Sequence, residues 1–96
     1  MSCGPPSSAR REVTIVNRLG LHARAAARFV ETASRFQAEV QVIRGDRRVN
    51  GKSIMGVMML AAGRGTQLTL ITEGDDEQAA AEALGDLIEQ RFGEAE

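Results

Sequence analysis

A chain of 96 residues that is 43% hydrophobic and 26% charged can fill one hydrophobic core; it is too short for a second core or a deep cleft, and too apolar to stay disordered. Its formal charge of −1 conceals an asymmetry, since residues 1–52 carry ten Lys or Arg against four acids and residues 53–96 carry two against nine. The lone cysteine, Cys3, can close no disulfide within the chain, and no apolar run reaches bilayer length, so a cytoplasmic protein without membrane insertion is expected.

Residues 1–11 combine Gly, two Pro, three Ser and two Arg with almost nothing to bury and read as a disordered leader, which leaves one domain over 12–96. Val13, Ile15 and Val16 form a short β-rich run ending at Asn17, and Arg18-Leu19-Gly20 supplies a turn. Residues 23–35 read as an amphipathic helix with Ala23, Ala26, Ala27, Val30 and Ala33 on its apolar side. Val40, Val42 and Val49 flank Gly45-Asp46, a hairpin turn between strands at about 38–44 and 47–50. Ser53 has the side chain of an N-cap for a short helix from Ile54 that stops before Gly63. Residues 66–72 alternate as a strand, and Ala80, Ala83, Leu84, Leu87, Ile88 and Phe92 give a closing helix its apolar stripe, with Asp75 or Asp76 available as a cap.

The order is therefore β-α-β-β-α-β-α, a two-layer α/β sandwich with helices covering one face of the sheet. That order suits several binding modules and selects no function.

The only histidine, His22, falls between the loop 17–21 and the first helix. There the unpaired N–H groups of the first turn, the helix dipole and the guanidinium of Arg24 all favour an anion, with Arg28 one turn further on. A neutral imidazole is a competent nucleophile near physiological pH, so His22 can carry a phosphoryl group there; a helix cap or a plain surface residue is the alternative.

Asn17-Arg18-Leu19-Gly20-Leu21-His22-Ala23-Arg24 resembles the active-site motif of HPr, the histidine phosphocarrier family of the phosphoenolpyruvate:sugar phosphotransferase system. Residues 51–63 (GKSIMGVMMLAAG) resemble its second signature, and Glu73-Gly74-Asp75-Asp76-Glu77 its segment before the last helix, so the similarity covers about residues 12–92. The resemblance implies an antiparallel four-stranded sheet in the order 1-4-2-3 backed by three helices. It also implies phosphorylation on Nδ1 of His22 by enzyme I, transfer onward to enzyme IIA proteins, and Arg24 as the residue that stabilises the charge. Such a carrier forms a covalent intermediate but is no stand-alone catalyst, and it needs no cofactor or metal. Where the family usually has proline after the arginine, this chain has Ala25, which predicts a less rigid helix entry with the carrier chemistry intact.

Ser53 has two readings, the cap and a regulatory phosphorylation site beside Lys52; in many family members the matching serine is the target of an HPr kinase/phosphorylase. Ile54, Met55 and Met58 belong to a run too apolar to face wholly inward, so they are expected to form an adaptable docking patch, with Arg24 and Arg28 as its charged rim. A monomer is expected, because that patch is already assigned to transient partners. Two rival functions can be weighed. An RNA-binding module of similar order needs stacking aromatics, and the chain has three Phe and neither Tyr nor Trp, so no nucleic-acid partner is expected. A hydrolase built on His22 would need an acid partner or metal ligands close by.

Overall fold

The computed structural model describes residues 8–96; Cys3 and most of the expected leader lie outside that range. The elements follow in the order β1 (Ala9–Thr14), α1 (Ala23–Ala33), β2 (Glu39–Arg44), β3 (Arg47–Asn50), α2 (Ile54–Met59), β4 (Gln67–Glu73) and α3 (Glu77–Glu89), with a terminal 3-10 turn at Arg91–Gly93. The four strands form one sheet in the order β1-β4-β2-β3, antiparallel throughout. This is the topology the resemblance implied.

Alternation places the core. Along β4, Leu68, Leu70 and Thr72 point inward while Thr69 and Ile71 are half-exposed. Their cross-strand neighbours continue the layer, Val13 opposite Leu68 on one side and Val42 opposite Leu70 on the other. Phe29 of α1, Val57 and Leu60 at α2, Leu84 and Ile88 of α3, and Phe92 close over them. Each fully buried Phe stabilises the fold by roughly 1.5–3 kcal/mol.

Three local expectations are corrected. Strand pairing starts at Ala9, opposite Thr72, three residues before the expected boundary at Glu12. The signal was hidden because β1 is an edge strand whose inward position 11 is an arginine; its head group reaches Glu89 of α3 at 2.8 Å, and Gly85 leaves room for it, since a Cβ there would stand 2.3 Å from the guanidinium carbon.

The buried line of α1 is Ala25, Ala26, Phe29 and Ala33, while Ala23 and Ala27 are exposed. Alanines weigh little in an apolar stripe, and the ring of Phe29 decides which side turns inward. Asp76 occupies the N-cap position of α3 but makes no cap bond. Its carboxylate instead accepts from the N–H groups of Gln37 and Ala38, at 2.9 and 2.8 Å, and so ties the end of the α1–β2 loop to the start of α3. Among the described residues no helix is long and apolar enough to cross a membrane.

Candidate functional site

β1 pairing continues past its last residue, with the N–H of Ile15 donating to Thr66 at 2.9 Å. The chain then turns at Asn17–Gly20 to reach α1. Two features seat this loop. Gly20 adopts φ +70°, and a Cβ there would lie 2.6 Å from the carbonyl oxygen of Ala62, so the close approach needs glycine twice over. Beside it the N–H of Leu21 donates to the same carbonyl at 2.9 Å. The residue before His22 is thereby fastened to the loop after α2.

His22 is the N-cap of α1. Its backbone is extended, and its Nδ1 accepts the N–H of Arg24 at 3.2 Å, which requires that Nδ1 carry no proton. The ring is about a quarter exposed, at the positive end of an eleven-residue helix. Arg24 is exposed and lines a surface recess with Arg18, Leu19, Arg28 and the C-terminal residues 93–96. Ala25, which stands where the resembling motif usually has proline, lies fully buried in the first turn.

The far side of the imidazole holds what sequence reasoning missed. Nε2 of His22 is hydrogen-bonded to the carboxylate of Glu94. The same carboxylate accepts from Nδ2 of Asn17 at 3.0 Å, and Asn17 also donates to the carbonyl of Gly20 at 2.8 Å. Asn17 is completely buried, and its own Oδ1 has no partner among the described residues. Through these two donated bonds Asn17 ties the loop and the tail to each other. Partial burial opposes the charge on Glu94, but the hydrogen bonds from Asn17 and His22 and the charges of His22 and Arg28 outweigh it, so its carboxyl is held below the ordinary value.

The tail reaches this position through Arg91, Phe92 and Gly93, three successive residues with positive φ. For residues with a Cβ this geometry costs roughly 1–2 kcal/mol each, offset by the burial of Phe92. Arg28 donates to the carbonyl of Phe92, so the expected rim residue also has a task inside the molecule. Arg18 holds Glu96 twice, through its backbone N–H and through its guanidinium at 3.0 Å.

Ser53 caps α2, its Oγ accepting the N–H of Gly56 at 3.1 Å. The ammonium of Lys52 turns to the carbonyl of Phe36 at 2.7 Å. Along α2, Val57 is buried, whereas Ile54, Met55, Met58 and Met59 are exposed, Met55 to 72%. Leu19, in the His22 loop, is exposed to 66%. Apolar overflow therefore exists, on a helix that packs against α1 and whose following loop holds the residue before His22.

Residues 9–90 match the family described as PTS HPr component phosphorylation site. The phosphocarrier protein HPr of Neisseria meningitidis is 56% identical over 87 residues, which are 91% of this chain and 98% of that protein. Among solved structures, HPr-C-His from Thermoanaerobacter tengcongensis superimposes with a TM-score of 0.88 at 48% identity, covering 92% of this chain and 99% of that one. An HPr dimer from the same organism gives a TM-score of 0.73 at 51% identity, covering 85% and 94%.

Proposed function

This chain belongs to the HPr family, the phosphoryl carriers of the phosphotransferase system, and on that footing we propose that Nδ1 of His22 takes the phosphoryl group from enzyme I and gives it up to enzyme IIA proteins in the cytoplasm. The observation that carries this reading is the N-cap geometry of His22. Its Nδ1 lone pair already faces the N–H of Arg24, so a phosphoryl group bonded there meets the donors of the first turn and the helix dipole as its negative charge arrives. Arg24, exposed beside the ring, supplies a guanidinium for the phosphoryl oxygens.

Ile54, Met55 and Met58 form the docking surface, with Leu19 extending it toward the histidine and Arg28 at its rim. Flexible methionines suit a carrier that must fit a donor and several acceptors in turn. The carrier works as a monomer that docks briefly, and the acceptors it meets decide between sugar uptake and a regulatory branch. Ser53 is a regulatory site for an HPr kinase/phosphorylase. Its hydroxyl is half-buried and caps α2, so a phosphate there would add negative charge beside the methionine patch and alter docking.

Incubation with enzyme I and phosphoenolpyruvate, followed by intact mass and phosphorus NMR, tests the assignment. One acid-labile phosphoryl group is expected on the wild type, none on His22→Ala, and its passage to an added enzyme IIA protein completes the cycle. A wild type left unmodified by its own organism's active enzyme I would refute the reading.

A further inference from the structure

The tail 91–96 is secured at three points: Phe92 is buried in the core, Arg28 donates to its carbonyl, and Arg18 grips Glu96. Between these anchors the carboxylate of Glu94 spans Asn17 and the imidazole. Both ring nitrogens of His22 are then committed. Nδ1 accepts from Arg24 and bears no proton, so Nε2 must hold the proton that it donates to Glu94.

We propose that Glu94 is a positioning residue for phosphoryl transfer, holding His22 in the Nε2–H form and balancing the positive charge the ring acquires while phosphorylated. The inference rests on Nδ1 of His22 being the acceptor. In the forward step the Nδ1 lone pair forms the bond to phosphorus as the bond from phosphorus to the donor's leaving atom breaks, its electron pair departing with the donor. No proton moves. The ring keeps its Nε2 proton and becomes formally cationic, facing the carboxylate across that N–H, while the phosphoryl oxygens keep their negative charge.

Onward transfer reverses the roles. The imidazole leaves phosphorus as a neutral ring, whereas a ring that had lost its Nε2 proton would have to leave as an anion. A carboxylate that keeps the proton in place therefore keeps the phosphoryl group transferable. Asn17 belongs to the same device, because it spends one amide proton on the loop and the other on Glu94.

The test compares full-length wild type, Glu94→Ala, Glu94→Gln and Glu96→Ala, with histidine labelled in nitrogen-15, by NMR and by single-turnover transfer from phosphorylated enzyme I. A slowly exchanging Nε2–H signal is expected in the wild type and in Glu94→Gln, whose side-chain oxygen can still accept, and is expected to vanish in Glu94→Ala. The transfer rate constant should fall about tenfold in Glu94→Ala, the kinetic equivalent of one charge-assisted hydrogen bond, and less in Glu94→Gln. The concentration that half-saturates enzyme I should stay unchanged. Glu96→Ala, which releases the guanidinium of Arg18 from the tail and leaves every residue of the motif around His22 in place, should keep both the signal and the rate.

A wild-type rate in Glu94→Ala overturns the proposal. So does an equal loss in Glu96→Ala, which would mean that loosening the tail, not removing the carboxylate, is what matters. Phosphoryl uptake that persists in His22→Ala would instead overturn the acceptor assignment on which the proposal stands.

Discussion

Across 72 residues of sequence the carboxylate of Glu94 closes on Nε2 of His22, and both residues are held by the loop that precedes the histidine. Asn17 donates to Glu94 and to Gly20, and Gly20 in turn lies against the loop after α2. The last residues of the chain, the entry to α1 and the exit of α2 thus meet around one imidazole. A carrier that must present the same nitrogen to different proteins needs such fixed geometry, because misplacement of a reacting atom by about 1 Å can cost a hundredfold in rate.

Asn17→Asp should open this arrangement while nearly preserving side-chain size. The substitution removes the donor to Glu94 and sets a second carboxylate against it in a fully buried position. At neutral pH we expect a stability loss of at least about 1–3 kcal/mol, the cost of stranding buried polar partners. Shift changes should extend over residues 17–22 and 91–96 in the NMR spectrum, and urea unfolding supplies the stability. A variant with wild-type stability and unchanged tail signals would show that Asn17 does not join loop to tail.

Phe92→Ala separates the anchor from the site. Phe92 is 1% exposed, so truncation should cost about 3–5 kcal/mol in chemical denaturation, as for other buried aromatics. The left-handed turn loses the burial that offset it, and the Nε2–H signal of His22 should weaken even where the rest of the domain remains folded. Loss of stability with an intact signal would mean that Arg28 and Arg18 suffice to hold the tail.

The element order was legible because long-range packing agreed with local pattern: Leu68 and Leu70 of β4 and Leu84 and Ile88 of α3 face the core, whereas Phe92, expected on the closing helix, is buried from the left-handed turn beyond its end at Glu89. The rotation of α1 was not legible, since an alanine-rich helix offers several equivalent stripes and the choice falls to Phe29. His22 and Ser53 could be placed at helix starts because caps are local chemistry. The role of Glu94 could not, because its partners lie 72 and 77 residues away and consecutive left-handed turns at Arg91 and Phe92 leave little trace in residue type. Gly93 after an apolar residue was the one local hint of a chain reversal. Part of the excess base of the first half and acid of the second is paired within the chain, by Arg11 with Glu89 and Arg18 with Glu96.

Ser53 offers a clean split between its two readings. Ser53→Ala removes the bond to the N–H of Gly56 and should cost about 1 kcal/mol, with phosphorylation of His22 continuing. Ser53→Asp keeps a capping oxygen and should restore most of that stability, while its added charge beside the methionine patch weakens docking to enzyme I. Thermal unfolding reads the first effect, and the half-saturating concentration in the transfer assay reads the second. If Ser53→Asp docked like the wild type, a regulatory charge at this position would have no route to the partner.

Acid should loosen the domain at Asp76. The N–H of Gln37 is the main influence on this carboxyl; burial opposes it, and the N–H of Ala38, the backbone of Asp76 itself and the charge of Lys52 add to it, so the group is held below its ordinary value of 3.8. A carboxyl whose folded value is depressed contributes stability that is fully present above the ordinary value and is lost as pH falls from there through the folded one. The stability difference between wild type and Asp76→Asn should accordingly be constant from neutral pH down to about pH 5 and shrink below 3.8. Urea midpoints collected across that range measure it. A difference that grew on acidification would mean that protonated Asp76 is the better partner for the α1–β2 loop, contrary to the two N–H donors that now face it.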